Sequence, residues 1–451
     1  MLKTLKNAWK IPELKNKLLF TLLIIVLYRI VAAIPVPYFN YGTSIDMAGN
    51  GILAFLSTLS GGALSQGTLL ALGVSPYITS SIVMQLLTIA IPALERLSKQ
   101  GEEGKKKINF YTRIITIIIA VITGIGYTSF IMNSQYTSLL YNPSPAGWVF
   151  DAFVMVFCYC AGAMIVMWFA EKINDHGIGN GISIILFANI VTGFFQQAFS
   201  LKTAMFSKGT GEFNYVGLII TIAVVLALIA LVMMIVWMSD AERRIPIQYA
   251  KRVVGRKMYG GQNTNLPIKV NMSGVMPIIF ANSIVSIPGM IAGFMTTDNW
   301  FKKFVDGWFN YNTPIYLVVF FVLLIAFAYF YVAISFNPVE VANNIKNNGG
   351  AIPGIRSGKP TVDFIKKVLG RITLVGALLV AVVACVPMLA AVISLPITKA
   401  LPTSLFASAT ANLNFIAFGG SSLMIVVGVA LETTRELEAQ MSLRNYKGFL
   451  D

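Results

Sequence analysis

The sequence predicts an all-α polytopic membrane protein, and three observations carry that prediction. Its 451 residues are 56% hydrophobic and only 12% charged, whereas a soluble domain carries about twice that charged fraction. Mean hydropathy is +0.73. The apolar residues gather into ten segments near the length of about 20 residues that a bilayer-crossing helix needs, and the basic residues between them alternate from side to side.

The expected spans lie near 17–35, 69–92, 112–132, 149–171, 178–198, 215–238, 270–294, 314–336, 370–394 and 411–433. Loops on one face hold Lys202, Lys208, Lys302, Lys303 and Lys399; every other Lys and Arg except Arg29 lies on the opposite face. By the positive-inside rule that basic face is cytoplasmic, with both termini. The N-terminal stretch MLKTLKNAWKIPELKNK is basic and leads into a full-length span without a small-residue cleavage site, so no cleavable signal is expected. Residues 1–16 and 434–451 read as cytoplasmic tails. The spans divide into halves 17–198 and 199–433, and an odd number per half inverts the second relative to the first. No convincing sequence identity links the halves.

Chemistry on a substrate is disfavoured. Cys158, Cys160 and Cys385 lie in apolar runs, and His176 is the only histidine, so neither a disulfide nor a metal site is expected. The span interiors lack the ionisable groups that intramembrane enzymes and ion-coupled carriers place there. Arg29 sits shortly before Pro35 near the outer interface, where snorkelling explains it. A secondary carrier of small solutes built from inverted repeats is the alternative reading. Such a carrier needs mid-span charge, which this chain lacks, and has no need of the two large basic loops that it carries.

Residues 51–78, GILAFLSTLSGGALSQGTLLALGVSPYI, do not fit a simple span. The apolar piece from Ile52 to Leu64 is too short to cross, and the breaker SGGALSQG is tolerable at membrane depth only when surrounded by protein. It reads as a re-entrant half-helix on a glycine hinge. Several spans carry branched aliphatics at helical spacing. Val74 and Ile78 share one face, as do Ile182 and Leu186. They are either ordinary packing residues or part of a hydrophobic constriction that excludes water.

Longer motifs give the chain a family likeness. RIVAAIPVPYFN (29–40), ALGVSPYITSSIVMQLL (71–87), GEEGKKKINFYTR (101–113) and HGIGNGISIILFANIV (176–191) resemble the SecY family, the channel subunits of the bacterial Sec protein translocase. So do residues 242–284, residues 333–361 and FGGSSLMIVVGVALET (418–433). The likeness covers essentially the whole chain, and the RRIPIQYAKR and GGQNTNLPIKVN stretches have the bacterial form.

The resemblance implies a passive conduit in the bacterial plasma membrane, without enzymatic activity or cofactor. Unfolded secretory polypeptides would cross it, and signal sequences and transmembrane segments would leave sideways into membrane lipids. It implies a plug near 52–66 that closes the resting pore, carried by Ile52, Leu53, Phe55, Leu56, Thr58, Leu59, Gly61, Gly62 and Leu64. The pore ring falls on Val74, Ile78, Ile182, Leu186, Ile279 and Ile425; the family's usual isoleucine is replaced at Val74 and Leu186. A lateral gate would lie between spans 2–3 and 7–8, with Thr79, Ser80, Asn282 and Ser283 as candidates for closing it by hydrogen bonds.

Two long basic loops, 239–269 and 337–369, should project into the cytoplasm. Ile245, Ile247 and Tyr249 alternate as in a strand, and Gly260–Gly261 suggests a turn. Such charge either marks topology alone or forms a phosphate-binding surface for ribosomal RNA. The resemblance implies docking of the ribosome and of the motor ATPase SecA through Arg243, Arg244, Lys251, Arg252, Arg256, Lys257 and the loop-tip residue Arg356. SecE and SecG would be the partner subunits. The chain has no GxxxxGK[ST] phosphate loop, so energy must come from a partner.

Overall fold

The computed structural model describes residues 6–39, 56–132, 148–205, 215–249, 252–254, 257–259, 263–295, 299–309, 313–400 and 421–442. Helix α1 (Pro12–Ala32) begins on Pro12, whose fixed φ suits the first turn and whose missing N–H costs nothing there. Helix α2 (Ser75–Ala90) starts the same way, with Pro76 in its first turn. The expected span 69–92 is therefore shorter as a helix, and residues 68–74 form turns instead. It also ends early. Pro92 disfavours helical backbone at Ile91, which is extended (φ −108°, ψ 113°), and α3 (Pro92–Ser98) departs at 106°.

The remaining helices of the first half are α4 (Glu102–Ile131), α5 (Trp148–His176) and α6 (Gly181–Met205). Helix α7 (Tyr215–Asp240) leads into the second half, followed by α8 (Met276–Phe294), with Pro288 inside it, and α9 (Trp300–Trp308). Helix α10 (Pro314–Ser335) is capped by the Thr313 hydroxyl, which accepts from the Tyr316 N–H. Then come α11 (Pro338–Asn347), α12 (Lys359–Ala400) and α13 (421–442). The expected span 411–433 begins outside the described residues.

Among the described residues, α4, α5, α10 and α12 are each long and apolar enough to cross a membrane alone, and the bent pair α2–α3 would make a fifth. Their outer faces are apolar and exposed: Ile122 on α4 is 64% exposed and Val322 on α10 is 58%. A hydrophobic exterior around a packed interior is what lipid surroundings require.

The interior is one apolar cluster that draws on α1, α2, α4–α8, α10, α12 and α13. Helix α8 packs against α2 and α4 on one side and against α10 on the other. A second, smaller cluster lies under a sheet outside the bundle. Strand β1 (Glu242–Tyr249) alternates as expected, with Ile245 and Ile247 buried, and pairs antiparallel with β4 (Asn263–Lys269). Between them β2 (Arg252–Val254) and β3 (Lys257–Tyr259) pair as a ribbon, and Gly260–Gly261 lies outside the described residues. Strand β5 (Gly350–Ala351) comes from the other long loop and pairs with Gln248 and Tyr249. The two basic loops thus form one sheet, ordered β4-β1-β5.

Candidate pore, plug and gate

Three of the expected plug residues, Ile52, Leu53 and Phe55, lie outside the described residues. Leu56 opens a helical turn at 56–59, and the chain then turns through Gly61 (φ 67°) and Gly62 (φ 87°). Both angles are left-handed, where a side chain costs energy and glycine does not. Ser60 fastens the turn internally: its hydroxyl donates to the Ser57 carbonyl (3.0 Å) and accepts from the Leu64 N–H (3.1 Å).

Groups from α4 and α6 hold this segment by its backbone carbonyls, and α1 buttresses them. Asn189 of α6 is fully buried, and its side-chain N–H2 donates to the Leu59 carbonyl (2.9 Å) and to the Tyr28 hydroxyl of α1 (2.9 Å). Tyr127 of α4 donates to the Leu64 carbonyl. Arg29 of α1 donates to the Ala188 carbonyl, and its guanidinium lies against Gly61. The snorkelling expectation for Arg29 is thereby corrected. The side chain is half-buried and turned inward, because a backbone carbonyl and the glycine turn receive it there. Asn189 inside FANIV was a legible polar signal in an apolar run; Tyr28 and Tyr127 gave none.

A cavity of about 230 Å³ adjoins this segment. Leu56, Leu59 and Leu64 of the plug segment line it, and so do Val74, Ile78 and Leu186 from the expected ring. Thr79, Asn282 and Ser283 of the expected gate complete the junction. No ionisable group is among the described lining residues. Ile279 and Ile425 are buried in the same apolar cluster, and Ile182 packs against it partly exposed, but none of the three lines the cavity.

The expected hydrogen bonds across the gate are not made. Thr79 donates to the Ser75 carbonyl (3.0 Å) and Ser283 to the Ile279 carbonyl (2.8 Å), each within its own helix. Ser80 meets Thr116 of α4 at 2.5 Å, on its own side of the gate. A hydroxyl in a helix can reach a carbonyl three or four residues back, and Thr79 and Ser283 are satisfied in that way without a partner across the expected gate. Asn282 cannot do so. It is 2% exposed, and neither its carbonyl nor its amide nitrogen has a partner.

Of the expected docking residues, Arg243 and Arg244 are exposed on β1, and Arg244 pairs with Glu242 at 2.7 Å. Arg356 is exposed between Gly354 and Gly358, both at positive φ, and its carbonyl accepts from Thr361 (2.9 Å). Arg252 and Lys257 lie on the β2–β3 ribbon, and Lys251 and Arg256 lie outside the described residues. Burial first, and then neighbouring Arg435, push the Lys269 ammonium below its ordinary range. At the base of the sheet Arg435 of α13 donates to the Ser239 carbonyl (2.5 Å) and to Asp240 (2.7 Å).

A protein-family model described as SecY matches residues 68–434. A protein translocase subunit SecY from Streptomyces galbus is 42% identical over the full length of both chains. Two solved structures share the fold. One is a SecY protein whose plug domain stabilises the closed state of the translocation channel and maintains a membrane seal. It has TM-score 0.64 and 19% identity, and the match covers 95% of this chain and 92% of that one. The other is Sec61 in the canine ribosome–channel complex from the endoplasmic reticulum, with TM-score 0.59, 18% identity, and coverage of 94% and 92%.

Proposed function

The chain belongs to the SecY family, and from that premise we propose how its parts serve a protein-conducting channel. It is a multi-pass membrane protein and a protein translocase subunit. The proposal assigns it ten spans in two inverted halves, 17–198 and 199–433, in a bacterial plasma membrane with both termini cytoplasmic. Unfolded polypeptides pass through a waist of Val74, Ile78, Ile182, Leu186, Ile279 and Ile425. Such side chains offer a moving chain few hydrogen bonds to catch on, and when closed they exclude water and ions. The segment at 52–66 is the stopper on the outer side, and parting of α8 from α2 and α4 releases apolar segments into lipid.

The observation that carries this reading is the shared cavity, whose walls come from the stopper, the waist and the gate together. A solute carrier would need charge there, and the described lining has none. The chain does no chemistry of its own; SecA or a translating ribosome supplies the work from the basic sheet and the Arg356 loop. SecE and SecG complete the complex. The ribosome-bound Sec61 structure supports docking of this kind.

Planar-bilayer conductance tests the reading. Deleting residues 52–60 raises resting ion leak, and so does Ile279→Asn or Ile425→Asn, which gives water hydrogen-bond partners at the waist. The asparagine variants also export precursors with defective signals. Unchanged conductance in the deletion and both ring variants together would overturn the pore assignment. Reduced membrane abundance with no rescued export would reassign the two isoleucines to packing.

A further inference from the structure

The outer end of the gate helix leads into a short helix that the pore reading leaves without a role. Helix α8 starts at Met276, seven residues after the basic sheet, and ends at Phe294; α9 begins at Trp300, before α10 starts at Pro314. In α9, Trp300, Phe304 and Trp308 recur every fourth residue and so share one face. They are 78%, 41% and 53% exposed. Their rings stack along the helix, with centroids 5.6 Å and 6.4 Å apart and planes 21° from parallel in both pairs. Val305, which points elsewhere, is 2% exposed and seats the helix on the protein. Lys303 is exposed beside the aromatic face.

We propose that α9 is an interfacial anchor whose partner is the boundary between headgroups and acyl chains in the outer leaflet. Two indoles and a phenyl ring in one exposed row would be a liability in water, whereas that boundary accepts both the ring and the indole N–H. The helices on either side of α9 in sequence also expose apolar residues, Ile291 of α8 (46% exposed) and Val318 of α10 (57% exposed). Lys303 suits anionic headgroups. The anchor holds the outer end of the helix that carries Ile279, Asn282 and Ser283. Pro288 removes a hydrogen bond from α8 between the anchored end and those residues, so the gate-bearing part swings about a fixed outer end. The inference rests on the membrane reading given above.

The test uses the full chain with its partner subunits in liposomes, after Cys158→Ala, Cys160→Ala and Cys385→Ala. Single cysteines at Trp300, Phe304, Trp308, Lys303 and Val322 each carry an environment-sensitive fluorophore. Quenchers are iodide in the water and a lipid with a nitroxide near the ester end of its acyl chain. Labels at 300, 304 and 308 lose emission to the lipid quencher and resist iodide, while the label at 303 is quenched by iodide. If Val322 is quenched by lipid while the aromatic-face labels are quenched by iodide, the anchor is wrong and the membrane reading stands. Labels shielded from both quenchers would mean that protein covers the face, which also overturns the anchor. Loss of lipid quenching at Val322 would remove the membrane reading itself.

Discussion

The guanidinium of Arg29 lies so close to Gly61 that a Cβ added to that glycine would stand 2.7 Å from its Nη1. The charge on the first helix and the turn in the plug segment are therefore fitted to each other, and Asn189 completes the fit from α6. Gly61→Ala must either displace Arg29 or abandon φ 67°. Resting ion conductance should rise by about 2- to 10-fold, the equivalent of losing one net hydrogen bond. Asn189→Ala should give a rise of the same order. Conductance at the parental level in both variants would show that these groups do not hold the segment.

Thr58 provides a direct check on where the plug segment sits. A Cβ at Gly193 of α6 would stand 3.3 Å from its methyl group, within reach of a crosslink. The pair Thr58→Cys and Gly193→Cys should form a disulfide in the resting protein, stop export while oxidised and recover on reduction. Gel mobility after thiol blocking, alongside export of a reporter, reads both effects. Export unaffected by a fully formed crosslink would mean that the segment need not move.

How much of this could be read from the sequence depended on whether the deciding contact was local. Apolar length located α4, α5, α10 and α12 among the described residues, and alternation of Ile245 and Ile247 located β1, because both signals are local. Helix α2 starts six residues inside the expected span 69–92 because Pro76 begins a helix there and residues 69–74 form turns. Arg29 was misjudged because its acceptor, Ala188, lies 159 positions away. The third strand was missed for the same reason: β5 is two residues long and has no pattern of its own. The gate hydroxyls were assigned to the wrong bonds, since composition cannot tell a bond across an interface from one to the preceding turn.

The proposed lateral gate makes Asn282 a control point. Burying an amide without partners costs about 1–3 kcal/mol, and on that proposal the penalty falls on the arrangement that buries Asn282 and is relieved when the cavity wets. Asn282→Leu should raise thermal stability and make export more demanding of signal hydrophobicity, so a weak-signal reporter should be exported less. Thermal unfolding in detergent and reporter export check the two effects. Lower stability with unchanged export would indicate that the amide has partners in the membrane.

Arg356→Glu should reduce SecA-driven translocation severalfold while leaving membrane orientation unchanged, since many other Lys and Arg of the two basic loops remain. The side chain is exposed and its loop is held by the Thr361 bond to the Arg356 carbonyl, so folding should be spared. Protease accessibility reports orientation, and precursor protection in vesicles reports transport. Translocation at the parental rate would remove Arg356 from the docking surface.

The sheet ordered β4-β1-β5 makes the two basic loops a crank rather than a pair of loose arms. Strand β4 ends at Lys269, and α8 starts at Met276. The joint between them is clamped by the Val270 N–H on the Ala241 carbonyl (2.9 Å) and by Gly376 of α12, where any Cβ would collide with the Val270 carbonyl at 2.1 Å. A load on either basic loop is carried by both, and it arrives as torque at the foot of α8. On the proposed gate, whatever grips the sheet has its hand on the helix that carries Asn282 and Ser283.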